Sequence, residues 1–339
     1  MIGPEQLAAG ERAEADGDYV AAVAAYLAVV EVPDAELAAQ ANFCLGRVKW
    51  RQGRFDAALK AFEAARVLAE RINDPALAAR VANGIGAVHY ARGDFAAARR
   101  SYAAAQLNTN DHAMQGKIIL NLGVIENIEG NLPGALDHYS RAYALVQESG
   151  DRASAMLALH NRGMVEADLG RWDAADLSFL AALALASDAG NREMIAKTLV
   201  NRSEVLVARG NFDEAVSLCN EALDIYADVG DEVGRGEALR WRAHASGRAG
   251  HALAAERDAL EAQHIAIRCG ARLLEAESAR ELGTLRATLG DRSGSIKQLR
   301  RALSLFTALG ARREANEIAA LLPRVTPTRV RRVDPGAEV

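Results

Sequence analysis

Small and apolar residues recur along this chain at fixed offsets from a repeated glycine, with polar residues between them. Alanine stands five and twelve residues after the glycine in six segments: Ala58 and Ala65, Ala98 and Ala105, Ala135 and Ala142, Ala175 and Ala182, Ala215 and Ala222, Ala255 and Ala262. A small residue stands seven before it, as Gly10, Gly46, Gly86, Gly123, Gly163, Ser203, Ala243 and Gly283. From residue 130 to residue 310 every twentieth residue is glycine. A glycine just past a helix end takes the left-handed conformation that closes it, so this spacing predicts about seventeen helical residues and a three-residue turn. Turns that short force neighbouring helices to run antiparallel. The glycines at 17, 53, 93, 130, 170, 210, 250 and 290 then turn the chain within hairpins, and those at 150, 190, 230, 270 and 310 turn it between them. Eight helical hairpins are predicted, and the intervals of 36 and 37 residues after Gly17 and Gly93 mark two irregular repeats.

A glycine inside a helix costs about 1 kcal/mol against alanine, so its recurrence demands a packing reason. The expectation is that small residues face the alanines of the second helix, letting the two approach closely. Tyr26, Phe62, Tyr102, Tyr139 and Phe179, four residues after the first alanine position, would wedge the neighbouring hairpin; Cys219, Ala259 and Leu299 weaken this later. Polar residues after the glycines between hairpins, in Gly150-Asp151, Gly190-Asn191 and Gly230-Asp231, can cap the next helix. Pro133 suits the first turn of a helix. Residues 311 to 322 read as an unpaired amphipathic helix covering the last hairpin, and Pro323 to Val339 as a disordered tail, either a solvated end or a basic linear motif.

Leu45-Gly46 with Ala58, Phe62 and Ala65, and Leu122-Gly123 with Ala135, Tyr139 and Ala142, resemble the tetratricopeptide repeat signature over roughly residues 4 to 310. The period near 40 is longer than the usual 34, as in the branch that includes kinesin light chains and bacterial Rap-type regulators. The signature tryptophan of the first helix is missing, and the closing proline survives only at Pro33 and Pro75. The resemblance implies an all-α fold, a right-handed α-α superhelix of eight antiparallel hairpins plus a capping helix over residues 1–322. It also implies a concave groove lined by the first helix of each hairpin, at thirteen, ten, nine, six and two residues before the turn glycine.

Composition narrows the function classes. A formal net charge of −5 and a pI near 5.9 argue against nucleic-acid binding, which draws its affinity from clustered Lys and Arg. The longest apolar run, Tyr19 to Val30, is shorter than the ~20 residues of a membrane span. The start lacks the basic region of a signal peptide, so a cytoplasmic protein is expected. Cys44, Cys219 and Cys269 form no disulfide framework; Cys219 reads as a buried small hydrophobe and Cys44 as the more accessible. The histidines show no metal-ligand spacing, and Gly84-Ile-Gly86 lacks the third glycine of a nucleotide fingerprint, so neither metal nor cofactor is implied.

On the groove positions, nine before the glycine, Asn121, Asn161 and Asn201 follow one another, with Asn83 and Asn42 one and two positions earlier in their helices. A carboxamide both donates and accepts, so such a column can hold the backbone of an extended peptide of any sequence. Bonding to a neighbouring helix is the other role open to it. Arg47, Arg51, Arg80, Lys117 and Lys197 make the groove basic around the ladder. Leu120, Val124, Leu157, Met164 and Val200 with His160 supply its apolar middle, suiting a peptide with acidic ends and hydrophobic anchors. Toward the end Glu204, Glu237, Glu277 and Glu281 stand beside Arg240, Arg248, Arg280 and His244. Trp241 occupies the ladder position, to anchor a partner or pack in the seam. The reading is a non-catalytic scaffold binding a protein or peptide segment in its concave groove. A peptide-responsive regulatory sensor of the Rap type is the alternative, against which stands the absence of a module preceding repeats that begin almost at residue 4. An enzyme using His160 with Asp168 is the least supported.

Overall fold

The computed structural model describes residues 2–325, all but the turns of which are helical. The contacts group the chain into two compact units, Met1–Leu169 and Gly170–Val339. The first contains α1 (Ile2–Ala15), α2 (Tyr19–Val30), α3 (Ala35–Arg51), α4 (Phe55–Arg71), α5 (Pro75–Ala91), α6 (Phe95–Leu107), α7 (His112–Ile128), α8 (Leu132–Ser149) and α9 (Arg152–Asp168). The second contains α10 (Trp172–Asp188), α11 (Arg192–Ala208), α12 (Phe212–Val229), α13 (Glu232–Arg248), α14 (Ala252–Cys269), α15 (Arg272–Thr288), α16 (Arg292–Ala308) and α17 (Arg312–Val325). These are eight successive helix pairs and a final helix, an all-α helical-hairpin repeat. The final helix reaches three residues past the expected Leu322, and the rest of the predicted tail lies outside the described residues.

Thirteen glycines, including every member of the twenty-residue series, have φ between 62° and 92°. Asn73, at φ 56°, takes the same conformation at a turn between hairpins. The two irregular repeats lack such a residue at one junction each: α2 to α3 passes through Glu31–Asp34, and α6 ends early at Leu107. Asp151, Asn191 and Asp231 accept the backbone N–H of Ser154, Met194 and Gly234, the capping expected of them. At Gly130 nothing lies within 4 Å of an added Cβ, so strain there would be purely backbone. Gly130→Ala is expected to cost about 1–2 kcal/mol, read as a lowered denaturation midpoint.

The small residue seven before the turn has a different partner from the one anticipated. A Cβ on Gly10 would stand 2.5 Å from the Tyr26 ring, on Gly46 2.5 Å from Phe62, on Gly86 2.4 Å from Tyr102 and on Gly123 2.8 Å from Tyr139. The aromatic side chain of the second helix thus lies on the glycine of its own hairpin's first helix, and it packs on the next hairpin as well, Tyr102 with Ile118 and Ile125 and Tyr139 with Val165. Phe62 shows both contacts most plainly, since Gly84 of the following hairpin would also meet it, at 2.7 Å. Sizes compensate along the chain. Gly283 lies against Leu299, Ser203 stands beside Cys219, and Ala243 shares a cluster with Ala259.

Cys44 is fully buried, as is Cys219, and Cys269 is the exposed one; this corrects the expectation for Cys44. The capping helix behaves as anticipated, with Ile318 and Leu321 against Phe306 and Ala302. Among the described residues no helix is long and apolar enough to cross a membrane, and none gathers into a metal-binding group.

Candidate functional site: the inner faces of the repeats

In the first unit α1 touches α3, α3 touches α5, α5 touches α7 and α7 touches α9, so these helices share one face. Two adjoining cavities, about 470 and 540 Å³, open on it, and Phe43, Arg47, Arg80 and Asn83 line both. The first adds Trp50, Phe62, Tyr90, Tyr102, Asn121 and Val124; the second adds Thr109, Asp111, Met114 and Lys117. The first cavity exists because its floor carries almost no side chain. Gly84 and Ala87 occupy the positions that hold Asn121 and Val124 one repeat later, which leaves the Phe62 ring lying beneath.

The basic groove read from the sequence is largely neutralised from within. Glu14, 5% exposed on α1, accepts two bonds from Arg47 (2.7 and 2.6 Å) and one from the Tyr26 hydroxyl (3.0 Å), with Arg51 at 3.7 Å. Burial, with the nearby Cys44 and Glu14, holds the Tyr26 hydroxyl well above its ordinary pKa. For Arg47 burial pulls the other way, but the bonds to Glu14 prevail and its pKa is raised. Lys117 pairs with Asp151 at 2.9 Å. Burial alone would raise that carboxyl, yet Lys117 and the Ser154 bonds hold it below the usual range.

Arg80 is the exception in this unit. Its guanidinium lies 4.3 Å from the centre of the Phe43 ring and, among the described residues, forms no ion pair within 4 Å, Asp74 and Glu11 acting on it only from farther away. Burial lowers its pKa.

The asparagines divide. Asn121 Nδ2 donates to Asn83 Oδ1 at 3.1 Å, joining α7 to α5, and Asn161 stands at the same repeat position on α9, half-buried. Asn201 is half-buried on α11 of the second unit. Asn42 is buried and donates to the Ala38 carbonyl of its own helix at 2.8 Å, so it is no part of a ladder. His160 is 1% exposed, and Leu120 and Val200, at its repeat position, are buried too. At this offset on α7, α9 and α11 the side chain is buried, which removes His160 from the groove, whereas Phe43 and Asn83 at the same offset on α3 and α5 line the cavities. Leu157 and Met164 are exposed.

In the second unit α11, α13 and α15 touch in the same way and carry Lys197, Glu237 and Glu277 at one repeat position. Loss of hydration raises the Glu237 carboxyl, and Glu277 adds to this against Arg240 and Lys197. Arg240 stands 3.3 Å from Glu277 and 4.5 Å above the Trp241 ring, and His244 contacts Glu281 at 3.1 Å. Trp241 is half-buried against the cluster of Leu199, Val200 and Tyr226, so the seam takes much of its indole.

Glu14, Phe43, Trp50 and Tyr90 were not singled out from the sequence. The signal available was positional: three before the turn glycine stand Glu14, Trp50 and Tyr90, an acid where the next repeats place aromatic rings.

Paired helices repeating about every forty residues, with the first helices touching along one face within each unit, define a helical-repeat protein. The chain belongs to the tetratricopeptide repeat family: models described as tetratricopeptide repeat match residues 37–106, 116–188 and 160–229. No curated protein matches it in sequence. Among solved structures it is similar to the apo form of RapI, with TM-score 0.66 and 11% identity over 96% of this chain and 97% of that one. A Rap protein complexed with competence and sporulation factor gives TM-score 0.62 and 11% identity over 95% and 97%. BtubC (BKLC) from P. vanneervenii gives 0.57 and 18% over 65% and 92%. The protein is a tetratricopeptide-type protein–protein interaction module.

Proposed function

We propose that the inner face of the first unit binds an extended peptide segment of a protein partner, with Asn83, Asn121 and Asn161 holding its backbone. The amide pair of Asn83 and Asn121 beside the 470 Å³ cavity carries this reading. Each carboxamide in that pair keeps one polar group free of the other, a donor on Asn83 and an acceptor on Asn121. Asn201, Lys197 and Trp241 would serve the second unit in the same manner, and Arg47, Arg51 and Lys117 frame the first, their charges held by Glu14 and Asp151. Three cysteines without a disulfide suit a cytoplasmic setting.

Peptides selected on the full chain from a random library test it. Replacing Asn121, Asn161 and Asn201 together by alanine is expected to weaken the selected peptides on the order of tenfold to a hundredfold, at about 1 kcal/mol per lost bond. Unchanged affinity with unchanged helical circular dichroism would overturn the groove reading. A peptide-responsive regulator is the second reading, favoured by the whole-length similarity to a Rap protein complexed with competence and sporulation factor. It requires the scattering profile to contract when peptide is added.

A further inference from the structure

We infer that Arg80 receives a single acidic side chain of the bound peptide and that the cavity floored by Gly84 and Ala87 receives a bulky apolar or aromatic side chain next to it. This rests on the groove reading above and gives it a sequence preference. Of the four cations on the first unit's inner face, Arg47 and Arg51 share Glu14 and Lys117 has Asp151, which leaves Arg80 alone without an ion pair among the described residues, the charges of Asp74 and Glu11 reaching it only at longer range. A half-buried guanidinium held against a ring has already lost part of its hydration and rotamer freedom. A carboxylate arriving there forms a charge-assisted, two-pronged hydrogen bond for little further ordering. Asn83, one turn along α5, offers its Nδ2 donors alongside.

Position selects an internal acidic residue over a chain end. Arg80 lines both cavities, so peptide can run on to either side of it. Toward one side lies the aromatic cavity, with Phe43, Phe62 and Tyr102 behind its small floor residues and Trp50 and Tyr90 at its walls. Its roughly 470 Å³ is at the lower end of ordinary ligand pockets and accommodates an aromatic side chain. The two recognition elements share Phe43, which makes acid and ring neighbours in the ligand.

The same random-library selection, on the full chain and on three variants, tests this. Wild type is expected to enrich peptides with Asp or Glu adjacent to Trp, Phe or Leu, and changing that acid to its amide in a selected peptide should weaken binding at least tenfold. Arg80→Gln should lose the acidic preference and the tenfold difference, while Arg80→Lys keeps the preference at lower affinity. Ala87→Leu, which fills the floor without touching Arg80, should lose the bulky residue and keep the acid. Peptides that still depend on the three asparagines but show no acidic preference, or one indifferent to Arg80→Gln, overturn this inference and leave the groove reading standing. Enrichment only of C-terminal carboxylates also overturns it. Peptides indifferent to the asparagines, or none selected, sink both.

Discussion

Gly86→Ala is expected to destabilise the protein by about 2 kcal/mol, and to become neutral or stabilising once Tyr102 is also alanine. The new Cβ would stand 2.4 Å from Tyr102 Cε1, and that ring, 2% exposed, can yield only by leaving its packing against Ala98, Ala105, Ile118 and Ile125 for the cavity it lines. Tyr102→Ala alone should cost about 3–5 kcal/mol through the cavity it leaves. With the ring gone the clash is gone, and alanine's better helix propensity, about 1 kcal/mol over glycine, is what remains. The chain already contains this exchange, since Ala243 and Ala259 occupy the equivalent pair and lie in one cluster. Chemical denaturation of the four proteins of the cycle reads the coupling. Equal cost for Gly86→Ala in both backgrounds would show that glycine recurs for some reason other than the ring.

Removing Glu14 is the second large effect. Glu14→Ala leaves the Tyr26 hydroxyl, on a residue with no exposed surface, without its acceptor, and a buried orphan of that kind costs about 1–3 kcal/mol. The Arg47 pair adds less than a buried pair would, because Arg47 is 36% exposed and water can replace the carboxylate. The sum expected is about 3 kcal/mol, with faster hydrogen exchange concentrated in α1 to α3. In a Tyr26→Phe background the orphan is absent, and Glu14→Ala should cost at least 1 kcal/mol less. An effect of the same size in both backgrounds would place the stabilisation in the arginine contacts instead. Glu14→Ala should also release Arg47 and Arg51, giving the inner face two further cations and a stronger, more salt-sensitive affinity for acidic peptides.

The glycine rhythm was legible because each turn is a local event. A left-handed residue, a cap three residues from its acceptor and a helix of about seventeen residues depend on near neighbours alone, so the chain spells them in order. Gly46, Gly86 and Gly123 were legible as packing positions, but their partner was not. Periodicity says which face a residue occupies, and only the approach of the second helix decides whether an alanine or a ring meets it there.

The site divides along the same line. The resemblance to tetratricopeptide repeats assigned Arg47, Arg51, Arg80, Lys117, Asn83, Asn121, Asn161 and Asn201 to the groove. It could not show that Glu14, 33 residues from Arg47, reaches two of those charges, or that His160 turns into the seam. Nor could it show that Gly84 and Ala87 open a cavity over Phe62, because that void is lined by side chains from five helices, α3 to α7, at once. Helix boundaries and repeat register followed from backbone preferences within a few residues of each turn. The choice of which cation stays free and where the face is hollow came from contacts between segments some thirty to forty residues apart, and only the tertiary structure sets those.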